Sequence, residues 1–289
     1  MPNTIREIPS SGRLMLRALR PGSKASGLST SDVPELHLGG LAVDAAHLEA
    51  YRKLCGFQER SEVPLPYLFV LAFDAQLALL TDRRFPLKAL GMVHVDNVFE
   101  WKREQRLAAG QDFSLRVRLL ELETVEKGRQ VKVETMFLRG EEPVAVSTST
   151  SFSRGGGHGQ AAEKGPRASA PTHEPTVWEL SADTGRRYAK VSGDYNPIHL
   201  YGLTARLLGF RRPIAHGMYL VARAVAELEE RLARSDFRRL ELRFKTPTFL
   251  PSKPRFFTQP DAEQGEDSGA SFELWSADLS RPHLTGRLC

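Results

Sequence analysis

The sequence predicts an α+β protein built twice over, each half an antiparallel sheet wrapped around one long central helix. Three observations predict it. Each half holds one apolar stretch with helical spacing, Pro66 to Leu80 and Met218 to Leu232. Each of these is followed by runs that alternate apolar and polar residues, the period of strands with one buried face. The halves can also be laid over one another in order.

The elements follow in chain order. In the first apolar stretch Leu68, Leu71, Ala72, Ala75 and Leu79 recur at helical spacing, so the helix is buried over most of its surface. Phe113, Leu115, Val117 and Leu119 then alternate with Ser114, Arg116 and Arg118. Val131 and Val133 alternate with Lys132 and Glu134, and Val144, Val146, Thr148, Thr150 and Phe152 with small polar residues. In the second half Met218, Val221, Ala222, Val225, Leu228 and Leu232 mark the other helix, Leu240, Leu242 and Phe244 a strand, and Phe272, Leu274 and Ser276 another. Between the halves, Ser153 to Pro175 is rich in Gly, Ala, Pro and charge without either period, and reads as a flexible linker that leaves His158 and His173 solvated. The expected organisation is therefore a unit over residues 1–154, a linker over 155–175 and a second unit over 176–289.

Composition narrows the function. At 289 residues the chain is long enough for two domains of ordinary size. No uninterrupted apolar run reaches the ~20 residues of a membrane span, and Met1 to Glu7 lacks the basic start and apolar core of a secretory signal. With only Cys55 and Cys289, no disulfide framework is expected and a cytoplasmic setting is. The net charge of +5 suits an anionic partner, but the Arg and Lys residues are scattered and form no stripe interleaved with aromatics. Nucleic acid and membrane are not expected partners. A phosphate-rich acyl carrier accounts for the charge equally well, as does a solvated surface with no partner.

One segment carries chemistry. It runs Tyr188-Ala189-Lys190-Val191-Ser192-Gly193-Asp194-Tyr195-Asn196-Pro197-Ile198-His199 and continues through Gly209-Phe210 to Pro213-Ile214-Ala215-His216-Gly217-Met218. Ser181 is placed to cap a short helix and Gly193 to end it. Asn196-Pro197 marks a turn, because the residue before proline avoids the helical region. Asp194 and His199 thus flank a tight, turn-rich segment and stand five residues apart, a span of non-helical chain that can bring a carboxylate and an imidazole together for proton transfer. Gly217 opens the apolar helix, whose first amides lack internal acceptors and can hold an oxygen that gains negative charge. Gly-Asp-x-Asn-Pro by itself could instead be a loop whose Asp and Asn bond backbone amides, and His216 by itself a packed histidine. Asp194, His199 and His216 are few ligands for a metal, and no Cys or Glu cluster supports them.

Ser192 to His199, with Gly209-Phe210 and Ile214 to Met218 downstream, resembles the hydratase-2 motif of the MaoC-like dehydratases, which include the (R)-specific enoyl-CoA hydratases. The resemblance implies the hot-dog fold, present here as a double hot dog. It implies interconversion of trans-2-enoyl-CoA and (R)-3-hydroxyacyl-CoA, or the same chemistry on an acyl-carrier-protein thioester. It assigns Asp194 and His199 as the acid/base pair and the amide of Gly217 as the oxyanion donor. Asn196 supports the site, and His216, Tyr195 and Met218 are expected at the substrate. No metal or redox cofactor is implied. Tyr201 departs from the pattern, standing two residues after the histidine where many members carry Asp, which bears on specificity more than on chemistry. A thioesterase and a non-catalytic acyl-CoA binder are the alternatives on this fold.

The overlay of the halves adds one result. Val43 to Phe57 parallels Ala182 to Asp194, and Pro64 to Tyr67 parallels Pro213 to His216. Asp194 then corresponds to Phe57 and Gly217 to Leu68, and the stretch holding His199 has no counterpart. The first half is expected to keep the fold without the catalytic parts, to act as a built-in partner whose sheet pairs edge to edge with the second, and to leave room for a bulky acyl chain. Self-association of the double hot dog into a homodimer is left open.

Overall fold

The computed structural model describes residues 4–5, 7–9, 11–18, 30–89, 91–154, 169–261 and 268–289. Residues 155–168 of the expected linker, with His158, lie outside these. Residues 169–175 form neither helix nor strand, and His173 is exposed with its ring edge-on to Phe257. The chain forms two compact units, Met1–Ala45 with Ser61–Pro64 and Leu68–Ala162, and Ala46–Arg60 with Leu65–Tyr67 and Glu163–Cys289. Among the described residues no helix is long and apolar enough to cross a membrane.

The first unit holds β1 (Thr4–Ile5), α1 (Ser11–Ala18), β2 (Glu35–Ala42), β3 (Val93–Trp101), β4 (Asp112–Val125), β5 (Gly128–Arg139) and β6 (Glu142–Arg154). Its sheet runs β1-β2-β4-β5-β6-β3, antiparallel except where β1 joins β2. Between these strands in sequence comes the long helix, Tyr67–Leu80 (counted α3 here, after α2 of the second unit, Ala45–Cys55). Leu68, Ala72, Ala75 and Leu79 are all buried on it, while Leu71 is only half-buried. Gln76 donates to Thr135 Oγ1 of β5 at 3.0 Å within the interior.

One strand departs from its expected phase over its middle. In β6 the expected Val144 and Thr150 are buried, but between them Ala145, Ser147 and Ser149 are buried while Val146 and Thr148 are only half-buried. The small residues are the inward ones because β6 lies between β5 and β3 and pairs with both. Ser147 stands opposite Thr135 and Phe99, and Ser149 opposite Val133 and Asn97. Side chains opposite one another share one face of the sheet, so the serines fall on the same face as Phe99 and Val133.

The second unit begins with α2, which comes from the first half of the sequence. It continues with β7 (Thr176–Val177), α4 (Thr184–Ser192), a 3-10 turn over Pro197–His199, α5 (Gly202–Leu207), α6 (Gly217–Arg231), β8 (Arg239–Phe244), β9 (Arg255–Pro260), β10 (Ala270–Trp275) and β11 (Pro282–Leu288). The sheet runs β8-β11-β10-β9-β7 and is antiparallel throughout. On α6 the expected Met218, Val221, Ala222, Val225 and Leu228 are buried; Leu232 lies just past the helix end. They share a core with Leu240, Leu242, Phe272, Leu274, Leu284 and Leu288 of the strands. Each unit thus joins an antiparallel sheet to one long apolar helix, which is the α+β hot-dog architecture read from the sequence.

Candidate active site

The site is assembled from two stretches, 184–200 and 213–218. The first starts on α4. Ser181 does not cap that helix: the residue at the cap is Asp183, and the Ser181 hydroxyl is given to the Asp183 carboxylate at 2.5 Å. Gly193 ends α4 in the left-handed conformation, φ 73°, with its amide on the Ala189 carbonyl, the αL termination that glycine permits at least cost. The turn that follows is built by short side chains. The Asn196 amide donates to Asp194 Oδ1 at 3.1 Å, and the Ile198 amide to Asn196 Oδ1 at 3.4 Å. Asn196 therefore caps the 3-10 turn that presents His199, and proline at the first position of that turn loses no hydrogen bond.

Contacts from two helices, α4 and α5, hold this turn from outside. Gly185 of α4 is packed against the backbone of His199: a side-chain carbon at Gly185 would meet the His199 carbonyl carbon at 3.0 Å and the carbonyl oxygen nearer still. The neighbouring Arg186 donates to the Leu200 carbonyl at 2.9 Å and lies 5.1 Å above the Tyr201 ring. From α5, the Thr204 hydroxyl reaches the Pro197 carbonyl at 2.7 Å. Nothing in the local pattern of Thr184-Gly185-Arg186 marks it as part of a site. Its signal is tertiary, a helix glycine with another segment's carbonyl against it.

The second stretch is a strand-like lead into α6. Ile214 bridges to Phe249, the Ala215 amide donates to the Thr248 carbonyl at 2.8 Å, and the Ile214 amide donates to the Ile198 carbonyl at 3.1 Å. These bonds lay residues 213–216 beside the His199 turn. His216 occupies the cap position of α6, and the amides of Tyr219 and Leu220 both use its carbonyl. The amides of Gly217 and Met218 are left without an intrahelical acceptor, at the positive end of the helix. Gly217 is also sterically required. A side-chain carbon there would meet the Phe244 ring of β8 at 2.5 to 3.0 Å.

The structure brings three groups together. Ligand-capable atoms of Asp194, His199 and His216 all lie within 4.8 Å of one another. The two imidazoles stack with ring centroids 3.8 Å apart. His199 Nδ1–H donates to the Ile214 carbonyl at 2.8 Å, which leaves Nε2 with its lone pair. His216 Nε2–H donates to the backbone carbonyl of Asp194 at 2.9 Å and stands 3.8 Å from Asp194 Oδ2. Both rings are neutral at ordinary pH. Burial lowers the pKa of His199, against the opposing pull of the Asp194 charge and of the Ile214 carbonyl. Burial, then the neighbouring His199, takes His216 down to about 3. Asp194 keeps about a fifth of its side chain exposed, so the trio has one open side.

The remaining residues expected at the site divide by exposure. Tyr195 is 51% exposed and Met218 4%. Behind His216 lies a buried aromatic set: Tyr188 at 5.1 Å from the His216 ring, Tyr219 beyond it, and Tyr51 of α2 at 6.3 Å from Tyr188. Tyr67 follows Tyr51 at 4.8 Å. Sequence reasoning missed this backing, because Tyr51 and Tyr67 stand more than 120 residues from Tyr188. At the position corresponding to Asp194, Phe57 is buried and stacks on Tyr51 at 6.1 Å.

Each ring donates one N–H to a backbone carbonyl and keeps the lone pair of its other nitrogen, Nε2 on His199 and Nδ1 on His216.

The chain is similar to proteins of one family. A family model described as a MaoC like domain matches residues 163–266. The 3-hydroxyacyl-thioester dehydratase X of Mycobacterium tuberculosis (strain ATCC 25618 / H37Rv) is 32% identical over 251 residues, 85% of each chain. A crystal structure of HtdX from Mycobacterium tuberculosis is 28% identical, covers 88% of this chain and 98% of its own, and superposes with a TM-score of 0.73. A MaoC-like dehydratase from Phytophthora capsici shares the fold at 22% identity, with 90% and 97% of the two chains covered and a TM-score of 0.66. This chain belongs to the MaoC-like dehydratase family.

Proposed function

We propose that the protein interconverts trans-2-enoyl thioesters and (R)-3-hydroxyacyl thioesters by adding or removing water at Asp194 and His199. The observation that carries the reading is the lone pair left on His199 Nε2, fixed by the Nδ1–H bond to Ile214 and kept neutral by burial, beside a carboxylate that is still reachable from solvent. In hydration, His199 and Asp194 flank a water molecule and take a proton from it as its oxygen bonds to C3. The electron pair of the double bond moves onto the thioester as an enolate, and a proton returns to C2. Between those events the negative charge sits on the thioester oxygen, where the free amide of Gly217 at the start of α6 stabilises it. His216 stacks under His199 and holds the Asp194 backbone, so its part is to position both groups. The buried Phe57 in the first half, with only a short connection from there to α3, supports one working site per chain.

The dehydratase named for the Mycobacterium tuberculosis relative acts on 3-hydroxyacyl thioesters, which supports the same substrate class here. The test is direct. Crotonyl-CoA loses the absorbance of its conjugated thioester on hydration, and the product is resolved for chirality. The account expects turnover to (R)-3-hydroxybutyryl-CoA. No turnover of crotonyl or longer 2-enoyl thioesters, or hydrolysis of the thioester instead, overturns it.

A further inference from the structure

We propose that α5 and the arginines around it form the docking surface for an acidic carrier protein that delivers the acyl thioester on its phosphopantetheine arm. This rests on the thioester chemistry proposed above. The segment stands out first by exposure. Leu203 is 72% exposed, Leu207 78% and Leu208 38%, with Tyr201 at 56%. Leu203 and Leu207 are one helical turn apart, so they share one face of α5, while Ala205 turns inward and is buried. This is a small apolar patch on a protein that buries most of its large apolar side chains, and such patches mark interaction sites. The fold does not require it, because the corresponding connection in the first half is too short to hold such a helix.

Charge identifies the partner. Between residues 184 and 226 the chain carries Arg186, Arg187, Lys190, Arg206, Arg211, Arg212 and Arg223 against a single carboxylate, Asp194. Arg206, Arg211 and Arg212 are exposed. Arg211 and Arg212 lie 4.4 and 5.6 Å over the Phe249 ring, which fixes them in place and leaves their charge uncompensated. Among the described residues no carboxylate is within ion-pair distance of Arg186, Arg206, Arg211 or Arg212. A second copy of this chain docking here by a two-fold contact would set arginine against arginine. The phosphates of free CoA would use the cations but not the leucines. An acidic protein surface with an apolar residue at its centre uses both. The patch also lies beside the reacting groups, since α5 begins three residues after His199 and bonds back to that turn through Thr204.

The test compares one acyl group on two carriers. Crotonyl-CoA and a crotonyl-loaded acyl carrier protein are given to the wild type, to Leu203→Ser with Leu207→Ser, and to Arg206→Glu. Both variants are expected to raise KM for the carrier-protein substrate about tenfold or more, with a weaker salt dependence in Arg206→Glu. For crotonyl-CoA, kcat and KM should stay within about twofold, as for surface changes away from the chemistry. Equal losses on both substrates would assign α5 to holding the site together and overturn docking, as would unchanged kinetics on both. A wild type that turns over crotonyl-CoA alone ends the docking proposal and leaves the proposed reaction standing. A wild type inactive on both carriers removes that reaction as well. Docking is equally overturned if the leucine variant loses wild-type self-association or binding to phosphatidylglycerol vesicles while its carrier-protein kinetics do not change.

Discussion

Replacing Gly185 by alanine is the sharpest perturbation that alters no reacting side chain. The added carbon would sit 3.0 Å from the His199 carbonyl carbon and nearer to its oxygen, against 3.4 to 4 Å for ordinary contact. The obstacle is backbone, which cannot rotate aside as a side-chain tip would. The His199 turn must therefore withdraw from α4 by an amount on the order of 1 Å, and a misplacement of that size is enough to cost roughly 100-fold in rate. Overpacking of this kind also costs about 1–3 kcal/mol of stability, so the variant remains folded but melts earlier. The assay is steady-state hydration of crotonyl-CoA with a parallel thermal melt. A fall in kcat of about two orders of magnitude, with KM changed far less, is expected. A variant that melts earlier yet keeps kcat within about twofold of wild type would refute the claim that α4 sets the position of His199.

Three further outcomes follow from the same structure. Gly217→Ala should lose most activity because the new carbon meets the Phe244 ring at 2.5 Å, and adding Phe244→Leu should restore part of it by opening that space; absence of any recovery would mean the ring is not the obstacle. Stability should fall on acidification, because His199 and His216 are held below their ordinary pKa in the fold while the unfolded chain takes up protons near pH 6.5. The loss begins as pH drops below about 6.5 and continues toward about 3 for His216, with a slope of at most about 1.4 kcal/mol per pH unit for each ring; urea midpoints at pH 7.5 and 5.5 should show a smaller loss in His216→Phe than in wild type, and identical losses would contradict it. In the first unit, Gln76→Leu should destabilise by about 1–3 kcal/mol by stranding the Thr135 hydroxyl, while Gln76→Leu with Thr135→Val should recover much of that, as read from denaturant curves.

Much of this architecture is legible in the sequence because it is set locally. The two long helices follow from apolar spacing, and α3 and α6 begin within a residue of where the pattern starts. Gly193 and Asn196-Pro197 announce their turns because glycine and the residue before proline have restricted uses. The phase of β6 is not legible, since Ser147 and Ser149 read as solvent-facing until their pairing with β5 and β3 is known. Strand β2 is masked by Gly39-Gly40, where its register slips between Leu38 and Leu41. Within the site, the nearness of Asp194 and His199 follows from their spacing. The contributions of Gly185, Phe244 and Tyr51 do not, because each acts across the fold on a residue remote in sequence. His216 was readable as a packed histidine and its stacking on His199 was not.

The central claim is that Asp194 and His199 together move the proton of water. Its most direct test is kcat for crotonyl-CoA hydration by Asp194→Asn and His199→Ala, each verified as folded by an unchanged melting profile. Both variants should lose at least about 100-fold, the size of a general acid–base contribution. Rates within a few-fold of wild type in either variant would contradict the account.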